Sequence, residues 1–131
     1  MTQAEINITI PINPVTKKNH GRIVNNNGRQ YMLPSEQFER YQRECRYWLS
    51  RYRNRVGFPI MDRVEVECHF YRKTRHNVDL VNLLQSIDDV LVHYGVLDDD
   101  NSQIIASHDG SRVHYDKNNP RTEITIKRIK E

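Results

Sequence analysis

Isoleucines at positions 6, 8, 10 and 12 alternate with Asn7, Thr9 and Pro11. That period of two predicts a first strand with one buried face. Ile23-Val24 and the run from Arg29 to Met32 flank Asn25-Asn26-Asn27-Gly28, and Asn-Gly between β-prone runs predicts a hairpin. From Ser35 the pattern changes: Phe38, Tyr41, Cys45, Trp48, Leu49 and Tyr52 recur at helical spacing. A first helix is therefore predicted over Ser35 to Tyr52, with Arg40, Arg43, Arg46 and Arg51 on its other face, which reads as a solvated face slightly ahead of a nucleic-acid face. Val64, Val66, Cys68 and Phe70 alternate with Arg63, Glu65, Glu67 and His69 as a half-buried strand. Leu80, Leu83, Leu84, Ile87, Val90 and Leu91 gather on one side of a second helix, which opens at Asp79 and stops at Tyr94-Gly95. Residues 103–107, 112–115 and the region of Thr122, Ile124, Ile126 and Ile129 read as further strands, with turns at 108–111 and 116–120.

The polar side of the second helix carries the chemistry. Asp79, Asn82, Ser86 and Asp89 fall along one flank at spacings of three or four, while Asp88 sits nearer the apolar edge. After Gly95 and the apolar step Val96-Leu97 come Asp98, Asp99 and Asp100. Carboxylates this close repel one another, and gathering them is useful when divalent cations or basic partners sit among them. Oxygen-only ligands suit magnesium, with manganese possible. The competing reading makes residues 98–101 a solvated loop and Asp88-Asp89 a wet helix face, with Asp79 a structural cap. Basic segments on either side favour the functional reading. Lys17, Lys18, Arg22 and Arg29 form one, Arg72, Lys73 and Arg75 another, and both are candidates for DNA backbone contact. Lys117, Arg121, Lys127 and Arg128 are further candidates.

Composition narrows the class. At 131 residues the chain predicts a single domain over 1–131, and the net charge of +3 hides a separation of basic segments from acidic ones. Cys45 and Cys68 are too few for a disulfide framework and predict buried free thiols in a reducing, cytoplasmic setting. No apolar run reaches membrane-spanning length and no signal-peptide pattern opens the chain, so no membrane partner is expected. The six histidines lack zinc spacing, no Gly-rich phosphate loop is present, and contiguous Ser107-His108-Asp109 is not a hydrolase triad. Metal-assisted attack on a phosphodiester is the economical use of what remains.

The Ile-rich strand ending in Pro, the basic loop, Asp79-Leu80-Val81-Asn82-Leu83-Leu84, and Gly95-Val96-Leu97-Asp98-Asp99-Asp100 with Gln103-Ile104 together resemble the RusA-type Holliday-junction resolvases of bacteria and phages. The resemblance spans most of the chain, and its specific part is Asp79 to Ile104. It implies an α+β fold with a small mixed sheet and two main helices, a homodimer, four-way junction DNA as substrate, and magnesium-dependent paired incisions during recombination and repair. By the same resemblance Asp79 matches the family's first essential Asp and Asp98-Asp99 its later pair, with Asp100 an extra acid beside it; Asp79, Asp89, Asp99 and Asp100 are expected to hold metal, Asp89 preferred over Asp88, and Gln85 to orient within the catalytic site. Two positions depart from the pattern. Val81 stands where better-known members have Asp, and Gln85 where they have Lys. A non-catalytic junction-binding protein, a catalytically weakened variant, and a general magnesium nuclease are the alternatives.

Overall fold

The structure is a computed structural model that describes residues 5–17, 22–33 and 35–130. Its strands are β1 (Glu5–Ile10), β2 (Arg22–Asn26), β3 (Arg29–Leu33), β4 (Val64–Arg72), β5 (Ile105–Ser107), β6 (Arg112–Tyr115) and β7 (Arg121–Arg128). Its helices are α1 (Glu36–Leu49) and α2 (Leu80–His93). β7 lies between β1 and β4 and pairs antiparallel with each. On the other edge of β4, β5 pairs in parallel near Val64 and β6 pairs in parallel from His69 to Arg72. The turn between β5 and β6 interrupts that edge, and there the Ser111 hydroxyl accepts the Cys68 N–H at 2.9 Å, so the strand donor stays satisfied. Among the described residues the two main helices and the mixed sheet expected of an α+β fold are present.

Alternation sets the layers. Ile6, Ile8 and Ile10 of β1, Val64, Val66, Cys68 and Phe70 of β4, and Ile124 and Ile126 of β7 are all buried. They share one core with Phe38, Tyr41, Cys45 and Leu49 of α1 and Leu83, Ile87, Val90 and Leu91 of α2. Both cysteines are free and buried, and burial pushes the Cys45 thiol up to about 12, well away from reactivity. Truncating Leu91, which is fully buried, to Ala is expected to cost about 3 kcal/mol in a denaturant titration.

The local signals fold as their chemistry directs. Asn27 and Gly28 both take positive φ (52° and 79°), as a two-residue hairpin turn requires. Ser35 caps α1 by accepting the Phe38 N–H at 3.1 Å. The first helix proper stops at Leu49, and residues 50–52 tighten into a 3-10 turn, so the last predicted turn is helical but not α. Gly95, at φ +74°, turns the chain out of α2. Asp98 N–H then donates to the Ile60 carbonyl at 3.0 Å. Anchored by buried Val96 and Leu97, residues 98–100 are delivered to the C-terminal end of α2.

Ser86 corrects the helical wheel. It belongs to the buried side, not a wet flank. The segment after β1 runs along α2, and the Ser86 hydroxyl donates to the Val15 carbonyl at 2.7 Å. Pro14 and Thr16 of that segment are buried as well.

Among the described residues no helix is long and apolar enough to cross a membrane.

Candidate functional site

Helix α2 fixes the spacing of the acids. Asp79 is its N-cap, and Asp79 Oδ1 accepts the N–H groups of Val81 (2.9 Å) and Asn82 (3.3 Å). The carboxylate therefore satisfies orphan helix donors while its charge meets the positive end of the helix dipole. Asp89 lies ten residues on, roughly 15 Å along the axis at 1.5 Å per residue. Oxygens on one magnesium ion lie within about 4 Å of each other, given bonds of roughly 2.1 Å. Two short aspartate side chains cannot close that gap. The expected set of Asp79, Asp89, Asp99 and Asp100 is thus not one coordination sphere within one chain.

The other acids do converge. In the loop after α2, Asp99 is fixed by accepting from the Asp100 N–H at 2.7 Å and the Asn101 side-chain amide at 3.0 Å. Burial, a hydrogen bond with Asp99, and the charges of Asp89 and Asp99 push the Asp100 carboxyl above its ordinary range. Asp88 is pushed up chiefly by burial, against the pull of His108, with Asp100 and Asp89 adding to the rise. Asp88, Asp89, Asp99 and Asp100 therefore share one strongly negative neighbourhood.

Two cationic partners sit in it that the helical pattern alone did not assign. Lys17, from the basic segment before the hairpin, places Nζ 2.6 Å from Asp89 Oδ2, both groups part-buried. His108 bridges the strand and the helix: Nδ1 lies 2.8 Å from the Val66 carbonyl and Nε2 2.8 Å from Asp88 Oδ2. A carbonyl only accepts, so Nδ1 carries a proton, and a second proton lies between Nε2 and the carboxyl. Asp88 Oδ1 is buried and has no hydrogen-bond partner among the described residues.

This pair sets a pH dependence. Burial alone pulls the His108 pKa down, but its hydrogen bond to Asp88, the Asp88 charge and the Val66 carbonyl together raise it above 6.5. The folded protein then holds that proton more tightly than the unfolded chain. The stabilisation is complete below pH 6.5 and is lost as pH rises through the folded value. The raised Asp88 pKa has the same sign, its contribution present below 3.8 and lost as pH rises through the folded value. His108→Gln should flatten the stability profile above pH 6.5 and cost about 2 kcal/mol at neutral pH by orphaning Asp88 Oδ2, as measured by urea midpoints across pH.

The remaining expected residues fall as follows. Gln85 is exposed on α2, one turn from both Asn82 and Asp89. Val81 is 69 % exposed, so no packing demand dictates an apolar residue there. Lys18 lies outside the described residues, and so does the side chain of Arg22, whose backbone belongs to β2. Arg29 is exposed on the hairpin. Arg72 bonds the His76 carbonyl, and Lys73 is exposed with its N–H on Asn13 Oδ1 at 2.8 Å. Arg75 lies 4.0 Å over the Tyr115 ring. Arg121 is tied to Glu123 at 2.7 Å and Asp116 at 2.9 Å, which makes it a structural cation of the sheet face. Arg128 contacts Asp62 at 3.2 Å.

The sequence model of the endodeoxyribonuclease RusA family matches residues 11–127. The chain belongs to the RusA family. No curated protein matches it. The matched stretch takes in the segment carrying Lys17, all of α2 and the Asp98–Asp100 loop. RusA proteins are endodeoxyribonucleases that resolve Holliday junctions, so an acid-rich centre with placed cations has an enzymatic setting.

RusA chemistry raises the matter of a metal ion. Among the described residues no three His, Cys, Asp or Glu side chains stand together as a ready metal cage. Magnesium, however, commonly takes only one or two carboxylates and completes its shell with water and substrate phosphate. Burial, together with the charges of Asp89 and Asp99, raises Asp100, and this and the unpartnered buried Asp88 oxygen fit a site that gains from a hard cation. Asp89, Asp99 and Asp100 are the residues that would hold it.

Proposed function

We propose that the chain is a homodimeric, magnesium-dependent resolvase of four-way DNA junctions acting in recombination and repair. The observation that carries this is the Lys17–Asp89 ion pair in the same negative neighbourhood as Asp99 and Asp100, towards one end of α2 in a RusA-family chain. A bound magnesium ion supplies Lewis acidity at the phosphoryl oxygens. Asp89, Asp99 and Asp100 would hold that ion, and Asp99 also braces the loop by accepting the Asp100 N–H. Lys17 keeps Asp89 in place and offers an ammonium to an incoming phosphate. Arg29, Lys73 and Arg75 contact flanking backbone, so recognition follows phosphate position and shape and weakens with salt.

Asp79 enters through the dimer. Its distance from Asp89 along α2 bars it from the same ion within one chain, and a two-fold axis brings the opposite end of the partner's helix within reach. Each active site then takes Asp79 from one protomer and the Asp99–Asp100 loop from the other. Two such sites match the two-fold related strands of a four-way junction.

A second reading, a junction-binding protein without cleavage, draws on Val81 and Gln85, which place a hydrocarbon and a neutral amide at exposed positions beside the site. Comparing the chain with its Val81→Asp, Gln85→Lys double variant on a labelled junction decides between them. The enzyme reading expects magnesium-dependent cutting by both, about tenfold faster in the double variant as a carboxylate and an ammonium join the centre. Tight binding without cutting by either would establish the binding protein.

A further inference from the structure

At the N-terminal end of α2 lies a cavity of about 300 Å³ whose polar lining is Asn13, Gln37, Arg72, Asn77, Asp79 and Asn82, with Pro14 to Thr16 and Val78 completing the wall. Four of those six side chains are carboxamides, each offering both a donor and an acceptor. The single guanidinium and single carboxylate cancel in charge, which is poorly suited to a phosphate. Arg72 Nε is a buried donor with no partner among the described residues. Asp79 adds an acceptor on the wall.

We propose that this cavity receives and reads one unpaired nucleobase of the substrate strand. A concave surface, uncharged on balance, that offers both donors and acceptors suits the edge of a base, whereas sugar and phosphate contacts are made by outward cations. A base stacked in duplex cannot enter a cavity of this kind, and it must first leave the stack. The inference rests on the junction-nuclease reading, because the crossover of a four-way junction is where a base is most easily released. It deepens that reading in one respect: the cavity abuts Asp79, so a base held there fixes which phosphate meets the acids. The segment forming one wall continues to Lys17 on Asp89, so the two ends of α2 are tied to one backbone strap.

The test uses a junction carrying 2-aminopurine at the crossover nucleotide, titrated with the full chain in EDTA so that no strand is cut. Fluorescence is expected to rise severalfold on binding, and Gln37→Ala with Asn77→Ala, both exposed positions outside the core, should abolish most of that rise while binding persists. In parallel, junctions randomised at the crossover are cut with magnesium and the products sequenced. The chain should favour one base by about tenfold, falling to near parity in the double variant, since one well-matched base contact carries roughly that discrimination. A fluorescence rise that survives in the variant, no rise with the parent chain, or an unchanged base profile would overturn the cavity assignment. Absence of cutting on every junction would instead sink the nuclease reading, and the fluorescence arm would still decide the cavity.

Discussion

Asp100→Asn should lower magnesium-dependent cutting of a four-way junction by a hundredfold or more, with the urea midpoint of the protein unchanged or slightly raised. The loss follows from removing a hard anionic donor from a site that has few, where even supporting ligands are worth about 10–100-fold. The stability expectation has an independent basis. Burial and the charges of Asp89 and Asp99 already disfavour an ionised Asp100, so a neutral isostere relieves repulsion in the folded state. Activity and stability therefore move apart. A variant that still cuts within a few fold of the parent would remove Asp100 from the site.

The second large effect is complementation. Asp79→Asn keeps an N-cap, since Asn accepts helix N–H groups about as well as Asp, and it removes the charge. On its own it should cut at least a hundredfold more slowly, while Asp79→Ala should lose about 1 kcal/mol of stability besides. Mixing unfolded Asp79→Asn and Asp100→Asn chains and refolding them together yields heterodimers in which one of the two sites is intact. Nicking of one junction strand should then return, to roughly a quarter of the parent rate, although each variant alone is inactive. If both acids served one ion within a single chain, no mixture would recover, and the proposed sharing across the dimer would be wrong.

Much of the fold was legible from local pattern because local forces decide it. Period-two isoleucines gave β1, Asn27-Gly28 gave the hairpin, Ser35 and Asp79 gave the caps, and Gly95 gave the stop. The site was legible only in part. Asp99 and Asp100 are neighbours in the chain and neighbours in space, but the Lys17–Asp89 contact joins residues 72 apart and the Asp88–His108 contact residues 20 apart. Periodicity carries no record of such pairings, which arise when the segment after β1 and the β5–β6 turn pack on α2. His108 was visible only as part of Ser107-His108-Asp109, a turn by every local sign. Ser86 shows the same limit: a hydroxyl at a flank position reads as wet until another segment covers it. The grouping of Asp79 with Asp89 was a misreading of a different kind: wheel position places both on one flank, but ten residues of helical rise hold them roughly 15 Å apart.

Cleavage of an end-labelled four-way junction beside a linear duplex of the same sequence, each with magnesium and with EDTA, tests the central claim most directly. Paired cuts at the junction that leave 5′-phosphates, little cutting of the duplex, and none in EDTA are the expected result. Equal cutting of both substrates, or junction cutting that persists in EDTA, would contradict it.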